Sequence, residues 1–155
     1  MTFPVYKIGV TFSEMPKHVS VYLQLADCQI RCSGCHSKEL WQPTKGIYLS
    51  EIKEKILNYK DMGSNMLIIF GDTNNNIELK DFKVLLKELS DILPICVFSG
   101  SYGYNKELLK YISYLKLGPY EDGKGGLNSE NTNQTMYKVE NNKLVDVTKE
   151  LFKGR

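Results

Sequence analysis

The chain has 155 residues, of which 42% are hydrophobic and 25% are charged, the balance of an ordinary globular domain. The net charge of +2 is too small for a nucleic-acid-binding surface, and no apolar run approaches the ~20 residues that span a membrane. The first ten residues lack the basic and apolar segments of a secretory signal. We therefore expect one cytoplasmic domain over residues 1–155 that binds neither nucleic acid nor membrane.

Strands and helices are predicted to alternate along the chain. Short runs of β-branched, aromatic and aliphatic residues predict strands at 19–26, 65–70, 95–100, 114–118 and 135–140. Apolar residues at helical spacing predict three helices between these strands. The first begins at an N-cap, Ser50, and has Ile52, Ile56 and Leu57 on one face. The second spans 78–90, and the third contains Leu108, Leu109 and Ile112. The rest of 119–155 is rich in Gly and Asn and is expected to be mostly loop.

This order of elements predicts a sheet whose strands pair in parallel through right-handed crossovers. Ligands of such sheets bind beyond the carboxyl ends of the strands. Four segments follow predicted strands: the cysteine-rich loop after residue 26, Gly71–Asp72, Ser99–Gly100 and Gly118–Pro119. We expect all four to share one edge of the sheet.

Three of the four cysteines, Cys28, Cys32 and Cys35, lie within eight positions, and His36 follows them directly. A zinc site would need Cys35 and His36 on one ion, which adjacent side chains rarely reach together. A redox dithiol would use only two of the three thiols. A 4Fe–4S cluster would use all three and leave one iron open to an outside ligand. The fourth cysteine, Cys96, lies within an apolar strand and is expected in the core.

The spacing C-x3-C-x2-C in "CQIRCSGC" resembles the cluster motif of radical S-adenosylmethionine enzymes. Residues 15–41, "MPKHVSVYLQLADCQIRCSGCHSKELW", resemble the opening of the activating proteins of anaerobic ribonucleotide reductase. Residues 114–152 resemble the C-terminal half of those proteins, including the steps "GPY", "GGL", "TNQ" and "DVT". The fold implied by this resemblance is α/β, an open partial (βα) barrel of the radical S-adenosylmethionine type with a mostly parallel sheet.

In that family, three cysteines hold one 4Fe–4S cluster per chain, and S-adenosylmethionine chelates the fourth iron. One electron from the cluster cleaves S-adenosylmethionine, and the radical formed takes a hydrogen atom from a glycine of the large reductase subunit. The resemblance therefore implies Cys28, Cys32 and Cys35 as cluster ligands. It implies S-adenosylmethionine as cofactor, the anaerobic ribonucleotide reductase large subunit as partner, and flavodoxin or ferredoxin as the kind of electron donor.

The resemblance also implies residues that bind the cofactor. Gly34, Cys35 and His36 would lie beside the adenine. Gly71–Asp72 matches a glycine-rich turn whose backbone binds the methionyl ammonium, although Phe70 replaces the first glycine of that turn. This departure leaves the local geometry of the turn open.

Four further residues match the family at later strands. Ser99 would reach the ribose, and Lys116 would pair with the methionyl carboxylate through a charge-assisted hydrogen bond. Asn133 and Gln134, in the "TNQ" step, would bind either the cofactor or the docked glycine loop. Two other functions stay open: a small-molecule enzyme similar to the 7-carboxy-7-deazaguanine synthases, and a non-catalytic cluster-binding module, which the altered turn at Phe70 favours.

Overall fold

The structure is a computed structural model that describes residues 1–28, 45–119, 124, 126–127, 129 and 132–153. Within these residues, no helix has both the length and the apolar character that crossing a bilayer requires. The expectation of one domain over residues 1–155 stays a prediction.

The described residues contain nine strands. They are β1 (Thr2–Phe3), β2 (Val5–Thr11), β3 (Ser20–Leu25), β4 (Ile47–Tyr48), β5 (Met66–Phe70), β6 (Ile95–Phe98), β7 (Tyr114–Leu117), β8 (Thr135–Glu140) and β9 (Lys143–Asp146). Strands β1 and β4 form a separate antiparallel pair. The other seven form one sheet in which their order along the chain is also their order across the sheet.

The centre of this sheet is parallel and its edges are antiparallel. Strands β3, β5, β6 and β7 pair in parallel, as predicted. Strand β2 is antiparallel to β3, and β8 and β9 add two antiparallel pairings beyond β7. Among the described strands, β2 and β9 lie at opposite ends and do not pair with each other, so the sheet is open and mixed.

One face of the sheet is covered by helices. These are α1 (Leu49–Asp61), α2 (Leu79–Ser90) and a 3-10 helix over Lys106–Tyr111. Alternate strand residues point towards them, as the period of two in a strand requires. The shared core contains, among others, Leu23, Leu67, Val97 and Leu115 from the strands and Ile52, Ile56, Phe82, Leu85, Leu86 and Leu89 from the helices.

Among the residues that the structure describes, the opposite face carries a smaller core, and the C-terminal segment closes it. Its buried members are Met15, Met66, Ile68, Cys96, Leu127, Met136, Val147 and Phe152. Thr148 fixes this segment to the sheet, because its hydroxyl accepts the Met136 N–H at 2.9 Å. A π-helical segment over Lys149–Lys153 follows and brings Phe152 onto the core.

All five predicted strands are confirmed, with bounds that differ by at most two residues at either end. The predicted N-cap at Ser50 is wrong: the helix begins at Leu49, after an extended Tyr48 that makes no side-chain capping bond. Leu57 does not share the buried face of Ile52 and Ile56, since it is 45% exposed. The third helix is a 3-10 helix rather than an α-helix. Strands β1, β2, β4 and β9 were not predicted, because short or edge strands carry little apolar alternation.

Candidate functional site

The carboxyl ends of the four parallel strands lie side by side, as predicted. The last paired residues of these strands, which lie in register across the sheet, are Gln24, Phe70, Phe98 and Lys116. Backbone hydrogen bonds continue across the turns beyond it: Gly71 N–H donates to Phe98 O at 3.0 Å, and Gly118 N–H donates to Ser101 O at 2.8 Å. This edge, which runs across the sheet from Ala26 after β3 to Pro119 after β7, is the candidate site.

The cysteine loop leaves the sheet at the end of β3. Ala26 is fully buried, and its N–H donates to Pro4 O at 2.7 Å. Asp27 has a left-handed backbone with φ +56°, and Cys28, a half-buried free thiol, follows it. The other predicted residues of this loop, Gly34, Cys35 and His36 together with Cys32, lie outside the described residues. Within the described residues alone, no three His, Cys, Asp or Glu side chains form a metal-binding group.

The turn after β5 requires glycine at its first position. Gly71 has φ +132°, and a Cβ added there would lie 2.5 Å from Asn75 Oδ1 and 2.9 Å from Leu25 Cβ. Asp72 then caps a short 3-10 helix, Thr73–Asn75, by accepting the Asn74 N–H at 2.8 Å. The turn is thus rigid and closely packed, and its predicted role towards a methionyl ammonium stays a prediction.

Phe70 stands where the resembling family has glycine, and the structure gives a physical reason for the aromatic residue. Its ring meets Phe98 edge to face with centroids 5.0 Å apart, and Tyr22 with centroids 6.0 Å apart. Such edge-to-face pairs stabilise the packing beyond simple burial. The three rings line the second face of the sheet directly below the edge.

Ser99 is fully buried, and its hydroxyl is already hydrogen-bonded. It donates to Asp72 Oδ2 and accepts the Ser101 N–H at 3.1 Å. These contacts tie the turn after β6 to the turn after β5. The predicted contact between Ser99 and a ribose stays a prediction, but the hydroxyl already has Asp72 as a structural partner.

Lys116 lies at the end of β7 on the second face of the sheet. Its Nζ stands 5.5 Å from the centroid of the Phe98 ring and donates to Gly118 O at 3.2 Å. It lines a cavity of about 390 Å³ with Phe98, Gln134, Leu127 and Phe152. A cation beside an open cavity is suited to a carboxylate ligand.

The two predicted residues of the "TNQ" step lie beside the same turn as Lys116. Asn133 Nδ2 donates to Pro119 O at 2.9 Å, and Gln134 Nε2 donates to Gly118 O at 3.3 Å. Asn133 Oδ1 is buried and has no hydrogen-bond partner among the described residues. The structure therefore brings Lys116, Asn133 and Gln134 together, and Gln134 reaches the cavity.

Cys96 is a core residue, as predicted. It is fully buried in the middle of β6. Burial raises the pKa of its thiol far above the usual range, and the positive charge of Lys116 lowers it only in part. A thiol held in this protonated form is unreactive.

Sequence reasoning missed the asparagines that follow Asp72. Asn74 Nδ2 donates to Asp72 Oδ1 and to Ser101 Oγ, both at 2.8 Å. Asn75 is buried and bridges the turn to the end of β3. The run "NNN" at 74–76 was the available signal, since asparagine amides commonly satisfy backbone groups at turns.

A family model described as "4Fe-4S single cluster domain" matches residues 17–127, which is more than two thirds of the chain. The protein belongs to this family of 4Fe–4S single-cluster domains. The match supports the predicted 4Fe–4S cluster over the zinc and dithiol alternatives. Comparisons with curated proteins and with solved structures find no significant match.

Proposed function

We propose that the protein is a radical S-adenosylmethionine enzyme that generates a glycyl radical on the large subunit of anaerobic ribonucleotide reductase. The observation that carries this proposal is that several candidate site residues lie together at one edge of the sheet. The entry to the cysteine loop, the closely packed Gly71 turn, Lys116 and Gln134 lie at neighbouring strand ends. A module that only held a cluster would need the cysteines but not a cation beside an open cavity.

The residues present fit the two groups that this function requires. Cys28 offers a half-buried thiol at a strand end, and with Cys32 and Cys35 it supplies the thiolates that iron–sulfur clusters take. Three such ligands leave one iron for an outside group. Lys116, beside a cavity of about 390 Å³, has the charge that binds a carboxylate.

The chemistry that the cluster and S-adenosylmethionine supply when bound is one-electron reduction followed by hydrogen-atom abstraction. The chain's own residues then have to bind, orient and exclude water. Lys116 holds a carboxylate at the end of β7. The turn at Gly71 would bind an ammonium group through backbone carbonyls, because an ammonium only donates hydrogen bonds and carbonyl oxygens accept them. The rings of Tyr22, Phe70 and Phe98 keep the underlying face apolar.

The substrate in this proposal is a glycine on another protein. Asn133 and Gln134 have amides next to the Gly118 turn, and Gln134 lines the cavity, so the pair is placed to hydrogen-bond an extended segment. The partner is the large reductase subunit, and the electron donor is of the flavodoxin or ferredoxin kind. A reducing cytoplasmic setting would keep the clustered thiols available for iron.

The competing proposal is a cluster-binding module without radical chemistry. The observation in its favour is that the Asp72 carboxylate already accepts hydrogen bonds within the protein, from the backbone and side-chain amides of Asn74 and from the Ser99 hydroxyl. That leaves the acidic position of the turn as a structural cap. A small-molecule radical enzyme similar to the 7-carboxy-7-deazaguanine synthases has no such observation in its favour.

The test is anaerobic reconstitution with iron and sulfide, followed by electron paramagnetic resonance of the reduced protein with and without S-adenosylmethionine. We expect the cofactor to change the cluster signal, and dithionite to drive release of methionine and 5′-deoxyadenosine. A glycyl-radical doublet should then form on an added anaerobic reductase. A spectrum that is indifferent to saturating cofactor would establish the module instead, and cleavage without the doublet would favour a small-molecule substrate.

A further inference from the structure

Two neighbouring asparagines reach across the sheet edge to the residues that precede the first cysteine. Asn75 Nδ2 donates to Ala26 O at 2.7 Å, and Asn76 Nδ2 donates to Asp27 Oδ2 at 3.1 Å. Both partners are 49 residues away in sequence, and both lie immediately before Cys28. The turn after β5 is therefore attached to the start of the cysteine loop.

The Asn75 amide is held in one orientation. The side chain is 3% exposed, and its Oδ1 accepts the Asp72 N–H at 3.0 Å while its Nδ2 donates to Ala26. Gly71 packs so closely on Oδ1 that a Cβ there would lie 2.5 Å away. The Ala26 N–H also donates to Pro4 O, so both backbone groups of Ala26 are hydrogen-bonded just before the loop.

The second contact joins two residues with unusual backbones. Asp27 has φ +56° and Asn76 has φ +59°, both in the left-handed region that residues other than glycine rarely adopt. Asparagine and aspartate tolerate this region better than most residues do. The hydrogen bond between their side chains stabilises the bend that directs the chain towards Cys28.

We infer that Asn75 and Asn76 form an asparagine clamp that positions Cys28 and thereby sets how firmly the protein holds its cluster. A cysteine ligand whose backbone is already ordered loses less conformational freedom when it binds the cluster. It therefore holds the cluster more tightly, and the cluster dissociates more slowly. The clamp acts through Cys28, so its members are positioning residues and not cluster ligands. The inference rests on membership of the 4Fe–4S family and not on the radical activity proposed above.

The test compares two clamp variants with a matched control. Asn76→Gly removes the amide and keeps a residue that accepts a left-handed backbone, and Asn75→Asp keeps the acceptor for Asp72 and loses the donor to Ala26. The control is Asn142→Gly, which replaces another left-handed asparagine, φ +60°, at the distant β8–β9 turn. Each variant is made in the full chain.

Two measurements are made on each protein: hydrogen exchange of the peptide ending at Cys28 in the iron-free form, and the rate of iron loss from the reconstituted form to an anaerobic chelator. We expect faster exchange in both clamp variants and iron loss that is about 3- to 10-fold faster, the effect of losing one hydrogen bond. The control should match the wild type in both. The thermal midpoint of Asn76→Gly should stay near that of the wild type, which separates positioning from general destabilisation.

Wild-type rates of exchange and of iron loss in Asn76→Gly would overturn the inference. Should Asn75→Asp fail to fold because of its buried charge, Asn76→Gly decides alone, since its contact is exposed. If the wild type never cleaves S-adenosylmethionine but the clamp variants lose iron faster, the clamp stands and the proposed function fails. The two inferences therefore fail separately.

Discussion

The two faces of the central sheet are built from different residues. The face under α1 and α2 is a continuous layer of Leu, Ile, Val and Phe side chains. The other face carries methionines, a cysteine and partly buried aromatic rings. It also holds Lys116 and the cavity of about 390 Å³.

This difference indicates that one face of the sheet mainly stabilises the fold and the other mainly binds a ligand. Aliphatic packing against helices supplies stability, and its strength follows from the apolar area that it removes from water. Within the described part of the chain, the second face has fewer buried residues and leaves room for a ligand. Substitutions on the helix face should therefore change the free energy of unfolding, whereas substitutions near the cavity should change binding.

The largest effect is expected at the candidate site, the edge formed by the carboxyl ends of the parallel strands. Alanine in place of Cys28, Cys32 or Cys35 should abolish the stable cluster, because each removes a thiolate ligand. Cys96→Ala should keep the full cluster and lose only about 1 kcal/mol of stability from the shallow cavity it leaves. Iron and sulfide per chain after anaerobic reconstitution measure this, and full iron content in Cys32→Ala would contradict the assignment.

On the helix face, Leu85→Ala should lower the free energy of unfolding by about 2–5 kcal/mol, because Leu85 is fully buried. The matched control is Leu57→Ala on α1, which removes the same atoms from a side chain that is 45% exposed. Its effect should stay within about 0.5 kcal/mol. Urea denaturation of both variants checks the contrast, and equal losses would show that the helix face is not the main source of stability.

On the cavity face, Lys116→Met should weaken the binding of S-adenosylmethionine by about 10- to 100-fold, the value of a hydrogen bond to a charged group. The thermal midpoint should change little, since the apolar stem is kept. Lys138→Met is the control, because Lys138 lies on the neighbouring strand β8 and pairs with Glu140 at the surface. Calorimetric titration measures both, and an unchanged affinity for Lys116→Met would remove this residue from the site.

The smallest effect is expected for the double variant Asn133→Ala, Gln134→Ala. It should reduce the glycyl-radical yield on the partner reductase about 3- to 10-fold while uncoupled cofactor cleavage falls less than about 2-fold, since only radical transfer needs the docked glycine. Paired measurements of the radical signal and of 5′-deoxyadenosine test this. If both activities fall together, these amides serve the cofactor, and if neither falls, their role is structural.

The sequence predicted those parts of the fold that local patterns determine. The strand β5 is apolar on both faces, so the run "NMLIIF" predicts a buried strand, and the alternation of strands with helices predicts its parallel pairing. By contrast, β9 is exposed along its whole length and has no such pattern. The cysteine spacing likewise indicated a cluster without tertiary information.

The contacts of the edge were less predictable because they join distant residues. Asn75 binds a carbonyl 49 residues earlier, and its role depends on the packing of β3 beside β5. Ser99 was predicted from its place at a strand end, but its hydroxyl partner Asp72 comes from the neighbouring strand's turn. Strand ends can be found from sequence, whereas the direction of each polar side chain depends on tertiary structure.

The close approach of Gly118 to Asn133 fixes how β7 and β8 come together at the edge of the sheet. A Cβ added at Gly118 would lie 2.9 Å from Asn133 O, so the two ends of the segment 119–132 touch. A Cβ at this position would meet backbone atoms of Asn133 and Gln134, which cannot move aside as the end of a flexible side chain can. Any residue larger than glycine at position 118 would therefore push the ends of β7 and β8 apart, and with them the Lys116 and Gln134 side chains that line the cavity.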